Sequence, residues 1–204
     1  MFHYKSSRYD FIKEYQKKFT FPDEAITMVT TGSRVHYVFG VENSLDVALA
    51  SRKDELKDIV IYSHIEYNGY SVQKVDSSGK HFNILNAPFI NTGLIRDEVQ
   101  MGSEFRARKE PNTSAEDSIF MAIVSPMDVY GNFWFAPCVP PKCREEARRA
   151  QYVIVEINEY IPSPGSIGSS YIHISEISLI VPGINSPIGK AAMNSISAKY
   201  ANSK

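Results

Sequence analysis

RVHYVFGVENSLDVALASRKDELKDIVIY, residues 34–62, decides the fold. Arg34 to Phe39 is rich in β-branched and aromatic residues and runs into Gly40, which reads as a short strand closed by a turn. The period then changes. With Ser44 as the cap, Leu45, Val47, Ala48, Leu49 and Leu56 fall on the inward face of a helix. Ile59, Val60, Ile61 and Tyr62 form an unbroken apolar run, the pattern of a strand buried on both faces. Strand, glycine turn, helix and strand make a βαβ unit, which commits the region to a parallel sheet.

Working outward, a second unit begins at SIFMAIVSP, a buried strand ended by Pro126. MDVYGNFWFAP places a turn at Tyr130-Gly131 and a short aromatic hairpin arm after it. Lys142 to Gln151 is helical by composition, YVIVEIN is a further buried strand, and YIHISEISLIVPG alternates well enough for one or two short strands. Upstream, Phe11, Ile12, Tyr15 and Phe19 recur at helical spacing from Tyr9 to Phe19. Asp23 is placed to cap a second short helix through Met28. Between the units, residues 64–81 read as a long excursion or ligand-facing loop, and HFNILNAPFI as a return to the sheet. Residues 91–102 read as a cap and helix, and the polar, proline-broken stretch 104–117 as a mobile loop.

Composition excludes several classes of function. A net charge of -1, with 43% hydrophobic and 22% charged residues, asks for neither nucleic acid nor an anionic membrane as partner. Arg144, Arg148 and Arg149 alternate with Glu145 and Glu146, the mixture of a solvated helix face. The amino-terminal residues lack the apolar core of a signal peptide, and no apolar run reaches the length of a membrane span. With two cysteines, Cys138 and Cys143, and no disulfide framework, the expectation is a cytoplasmic protein with reduced thiols.

The residues alone nominate little chemistry. VFGVENS lies where open α/β sheets bind ligands, but it has neither a dinucleotide fingerprint nor a phosphate-cradling lysine. His3, His36, His64, His81 and His173 never approach metal-ligand spacing. His173, between Ile172 and Ile174, reads as a structural histidine, and Cys138 or Cys143 could pair with it as nucleophile only without any supporting signature. Glu42, Glu66 and Glu156 sit at or just past predicted strands, where a carboxylate serves as base, nucleophile or plain solvent-facing group.

Several segments, in order, carry a family pattern. INEYIP at 157–162 resembles V-N-x-x-M-P, with Ile161 in place of methionine, and IHIS at 172–175 resembles I-H-I-S-x-I. SPMDVYGNF at 125–133 is similar to S-P-x-D-x-x-G-Y/F, and LASRKDEL at 49–56 to L-x-x-R-x-x-E-L. These are the marks of the acetyl-CoA hydrolase/transferase family, which includes butyryl-CoA:acetate and 4-hydroxybutyrate CoA-transferases, and the likeness is to its amino-terminal half.

The resemblance implies an α/β domain of CoA-transferase type, a mostly parallel open sheet with flanking helices. The expected division is an arm at 1–22, the domain at 23–185, and a tail or linker at 186–204. It implies transfer of CoA between short-chain carboxylic acids, with coenzyme A or acyl-CoA as substrate and no covalently bound cofactor. Family members use a glutamate that becomes a glutamyl-CoA thioester, in a stretch resembling L-G-x-H-[ST]-E-M. That motif does not occur in these 204 residues, so no catalytic residue and no metal ligand are expected here. The expectation is a pocket wall of Gly40, Val41, Glu42, Asn43, Ser44, His64 and Asn91, working with a complementary carboxy-terminal half in a homo- or hetero-oligomer. The alternative is a non-catalytic module that binds acyl-CoA or small carboxylates.

Overall fold

A computed structural model describes residues 7–65, 67, 69–86, 118–136, 139, 143–163 and 170–184. The segments expected as helix at 91–102, loop at 104–117 and tail at 186–204 lie outside them.

The amino-terminal helix α1 spans Ser7–Lys18, and a single turn, α2, spans Pro22–Ala25. Asp23 does not cap α2. Pro22 is its first residue, after an extended Phe21, and no side chain caps the turn. A proline there has no N–H to satisfy, and Asp23 instead lies in the first turn, where its charge suits the helix dipole.

The βαβ unit is present as β1 (Arg34–Val38), α3 (Ser44–Ser51) and β2 (Ile59–Ser63). Two details differ from expectation. The cap of α3 is Asn43, whose side chain accepts from Asp46 N, and Ser44 is the first helical residue. Val47 is 43% exposed while Leu45, Ala48 and Leu49 are buried, because Val47 stands about 200° around the helix from Leu45. Leu56 is buried from the turn after α3 rather than from the helix.

The stretch after β2 holds a short helix, α4 (Ser71–Val75), where an excursion was expected. Strand β3 (Phe82–Asn86) follows, so this part does return to the sheet. The second unit supplies β4 (Ser118–Val124), β5 (Asn132–Trp134), α5 (Cys143–Arg149), β6 (Tyr152–Ile157), β7 (Tyr171–His173) and β8 (Leu179–Pro182).

Six strands pair in the order β3-β2-β1-β4-β6-β8, every pair parallel. The order runs outward in both directions from the β1–β4 pair, so the chain's topological switch lies between those strands. Tyr37 of β1 stands level with Met121 of β4 and Ser63 of β2, and His36 level with Phe120 and Tyr62. These two alternating sets face opposite sides of the sheet. The expected aromatic arm turns at Gly131, whose φ of 80° suits glycine, but β5 pairs antiparallel with β7 in a separate two-stranded sheet. Its continuation also touches the main sheet, through a bridge between Val124 and Phe135.

Helix α1 rests on this small sheet. Tyr15 stacks on Phe133 at 6.2 Å between centroids, and Phe11 meets His173 edge-on at 5.3 Å. Just past α1, Phe19 bridges Ile180 and Thr20 N donates to the Ile180 carbonyl at 2.9 Å, which pairs part of the outer edge of β8. Tyr37, Phe39, Tyr70, Phe120, Phe133 and Phe135 are the largest fully buried side chains of the core.

Asp76, buried in the turn before β3, accepts from His81 N at 2.6 Å, Phe82 N at 2.9 Å and Ser78 Oγ at 2.9 Å. Burial opposes its charge, but these donors win and hold the carboxyl far below its ordinary 3.8. A depressed folded value means that the unfolded chain binds the proton more readily. Stability from Asp76 is therefore complete above the ordinary value and is lost as pH falls below it. Urea midpoints of wild type and Asp76→Asn, taken from neutrality down to about pH 2.5, should converge as acid is added. Parallel curves would overturn this assignment.

Candidate functional site at the switch point

The carboxyl ends of β1, β4 and β6 converge where an open parallel sheet ordinarily receives its ligand. Motif turns follow β4, β6 and β7. Beyond β4, Ser125 Oγ accepts from Trp134 N at 2.9 Å and donates to the Pro126 carbonyl at 2.8 Å. Asp128 accepts from Tyr130 N at 2.8 Å, Asn132 N at 2.9 Å and Trp134 Nε1 at 3.1 Å. Those contacts pull the Asp128 carboxyl below its ordinary range against the cost of burial. Beyond β6, Asn158 Oδ1 accepts from Tyr160 N at 2.9 Å, and the turn seats Ile161 in the core. Beyond β7, His173 caps a short 3₁₀ turn, and the Glu176 carboxylate accepts from His173 N at 3.0 Å. The motif residues are thus explained by folding: they build the turns that follow these strands, and Asn158 also lines the void beside the switch point.

Gly40 and Val41 line a void with Val38, Phe39, Ile65, Ile123, Ala136, Val139 and Asn158. It measures about 10 Å³, room for one water or a methyl group. Its lining is apolar apart from Asn158 and the backbone.

The other expected site residues divide. Asn43 is fully buried and spends its side chain on the backbone, accepting from Asp46 N at 2.8 Å and donating to the Val41 carbonyl at 3.1 Å. Ser44 is engaged by Glu156 of β6. Glu156 Oε2 accepts from Ser44 N at 2.8 Å, Ser44 Oγ at 2.8 Å and Leu45 N at 3.1 Å, and Oε1 accepts from Ile184 N at 3.1 Å. Glu156 is 2% exposed. Burial pushes its carboxyl above the ordinary range, and the four donors pull it part of the way back. Glu42 is exposed at the rim. His64 lies just past β2, its Nε2 at 2.9 Å from His36 Nδ1. Burial drives His36 down to about 4, so it is neutral at physiological pH.

Asn91, Glu66 and Cys138 lie outside the described residues. Cys143 opens α5 with no exposed surface, out of reach of a thioester arriving from solvent. The His173 ring bonds Ser175 Oγ at 2.8 Å, in keeping with a structural histidine. Among the described residues, no group of three or more His, Cys, Asp or Glu could hold a metal ion. Nor is any helix among them long and apolar enough to cross a membrane.

Sequence reasoning named Glu156 without finding its role, carried Asp128 only as a letter of the S-P-x-D-x-x-G pattern, and missed Asp46. Asp128 had a usable signal, an aspartate three residues before a glycine that needs a positive φ. Glu156 had only a charge within an apolar strand, which does not name its partner.

A family model described as the acetyl-CoA hydrolase/transferase N-terminal domain matches residues 3–188. The chain belongs to the acetyl-CoA hydrolase/transferase N-terminal domain family. This family domain is 31% identical to the butyryl-CoA:acetate CoA-transferase of Anaerostipes caccae over 188 residues, 88% of this chain and 42% of that protein. It is 28% identical to the 4-hydroxybutyrate coenzyme A transferase of Clostridium kluyveri, over 82% of this chain and 40% of that protein. Among solved structures it resembles RipA from Yersinia pestis, with a TM-score of 0.58 and 27% identity over 85% of this chain and 44% of that one. The 4-hydroxybutyrate CoA-transferase of Porphyromonas gingivalis shares the fold, with a TM-score of 0.63 at 20% identity over 87% of this chain and 42% of that one. The acetyl-CoA hydrolase/transferase N-terminal domain thus spans 40–42% of the length of the curated relatives it matches.

Proposed function

We propose that this domain is the amino-terminal half of a CoA-transferase that moves CoA between short-chain carboxylic acids. The observation that carries the reading is the alignment, over more than four-fifths of the chain, with proteins named as butyryl-CoA:acetate and 4-hydroxybutyrate CoA-transferases. The switch-point void is in keeping with it, because its apolar lining seats a methyl group, the terminal carbon of an acyl chain. In this reading Gly40 and Val41 face the acyl group, Glu42 and His64 stand at the rim, Asn43 and Ser44 hold the loop, and Asn91 is a further residue expected in the pocket. The glutamate that becomes a thioester belongs to a complementary carboxy-terminal half, joined to this one in a cytoplasmic oligomer. Splitting the exchange through a covalent intermediate replaces one hard step by two easier ones.

The test is exchange of CoA between acetyl-CoA and butyrate, for the chain alone and for the chain combined with a complementary half. The chain alone should give background, and the combination a rate about a thousandfold above it or more. Full exchange by the chain alone, or none by the combination, would overturn the proposal.

The absence of a stretch resembling L-G-x-H-[ST]-E-M from these 204 residues leaves one other reading, a module that binds acyl-CoA or small carboxylates without catalysis. Saturable binding of butyrate or butyryl-CoA by the chain alone, with no exchange activity in any combination, would select it.

A further inference from the structure

We infer that Glu156 is a positioning residue that fills, from within the fold, the anion position at the amino-terminus of α3. The switch-point cleft then receives the uncharged acyl part of a ligand, while its carboxylate or phosphates are held elsewhere. The ligand class rests on the function proposed above; the filling of the helix end does not.

The first helix after the switch-point strand ordinarily presents free N–H groups to an anionic ligand. Here that first turn is fully subscribed by the protein. The amides of Ser44 and Leu45 and the hydroxyl of Ser44 go to Glu156 Oε2, and the amide of Asp46 goes to Asn43 Oδ1. The second carboxylate oxygen takes Ile184 N, so the same side chain also ties down the segment after β8. At 2% exposure, the Glu156 carboxylate is buried with the donors it accepts from. A ligand carboxylate placed in the adjoining void would meet mainly the apolar side chains of Val38, Val41, Ile65 and Ile123, with Asn158 as the polar side chain of the lining. Burying a charge without partners is strongly unfavourable, whereas a methyl or methylene group is welcome there.

The test follows amide signals of Ser44, Leu45 and Ile184 in the 204-residue chain during titration with sodium formate, sodium acetate and pyrophosphate, with sodium chloride as the ionic-strength control. Wild type should show no saturable shift at Ser44 or Leu45 with any of the three anions. Glu156→Ala removes the built-in carboxylate and leaves its donors facing a carboxylate-sized space. Formate should then shift all three amides saturably and restore at least half of the lost melting temperature. Glu156→Gln, which keeps an acceptor oxygen and the shape, should fold and remain blind to formate. A saturable wild-type shift at Ser44 and Leu45 overturns the inference, and that arm stands even if Glu156→Ala fails to fold. So does a folded Glu156→Ala that formate neither shifts nor stabilises. Butyryl-CoA separates the two readings. Methyl shifts at Val41 and Ile123 without amide shifts at Ser44 and Leu45 support both. No methyl shift, with the formate results as expected, leaves the Glu156 assignment standing and removes the acyl site.

Discussion

Replacing Gly183 with alanine is expected to destabilise the domain by about 3 kcal/mol or more, a large share of the stability of a domain this size. Gly183 directly follows β8, and a Cβ there would lie 1.9 Å from the Ile157 carbonyl oxygen and 2.9 Å from its carbon. These are backbone atoms at the end of the neighbouring parallel strand, so no rotamer change relieves the overlap. The cost would come from contact, not conformation, because Gly183 does not have a positive φ. Separating the strands would also draw Ile184 N away from the Glu156 carboxylate, which it meets at 3.1 Å. Gly32→Ala is the control: its φ is 85°, yet an added Cβ there has no atom within 4 Å. That variant should lose only about 1 kcal/mol for its backbone conformation. Urea unfolding of the two variants side by side is decisive. Equal losses would show that the close approach of β8 to β6 is not what Gly183 serves.

Asp46→Ala should cost about 2–3 kcal/mol, more than a surface cap, because it strands buried donors. Asp46 sits on α3 at 1% exposure, and its carboxylate accepts from Ser71 N and, at 3.5 Å, from Val72 N, the first amides of α4. The residue therefore fastens two helices on one face of the sheet. Burial raises its carboxyl above the ordinary 3.8, although the amides of α4 partly oppose the rise. With the folded value raised, the stability contributed by binding the proton is full below the ordinary value and is lost as pH climbs through the folded one. Asp46→Asn keeps one acceptor oxygen and lacks this titration. Its deficit relative to wild type should therefore shrink between about pH 4 and neutrality. Chemical denaturation across that range reads the sign directly. A deficit that grows with pH would mean that Asp46 is stabilised as a charge.

The parallel sheet was legible because its evidence is local. Gly40 interrupts an apolar strand, Leu45, Ala48 and Leu49 take up helical spacing, and Ile59 to Tyr62 run unbroken. The motif segments at 125–133, 157–162 and 172–175 were legible as a family pattern, and the structure supplies their physical reason in turns made by Asp128, Asn158 and His173. What stayed hidden depends on partners far apart in sequence. Helix α4 has five residues, too few to show a period, and the carboxylate that accepts from its first amide lies 25 residues upstream. Ser44 looked like a cap, and only the backbone conformation of Asn43 assigns the role to its neighbour. Gly40 and Val41, expected in the pocket wall, line the void beside the switch point. Ser44 was read as open to a ligand because its partner, Glu156, lies 112 residues away.

That separation also sets a timetable for a chain made from its amino-terminus. Residues 34–63 hold a complete βαβ pattern, yet the carboxylate that engages the start of α3 has not been made when those residues emerge. It arrives with β6, is flanked later by β8, and takes its last donor from Ile184. Contacts of such long range form slowly, since the loop between them must close first. Until β6 has been made, the first amides of α3 lack the acceptor that they have in the folded domain. Glu156 thus completes the first turn of α3 only after β6 is in place.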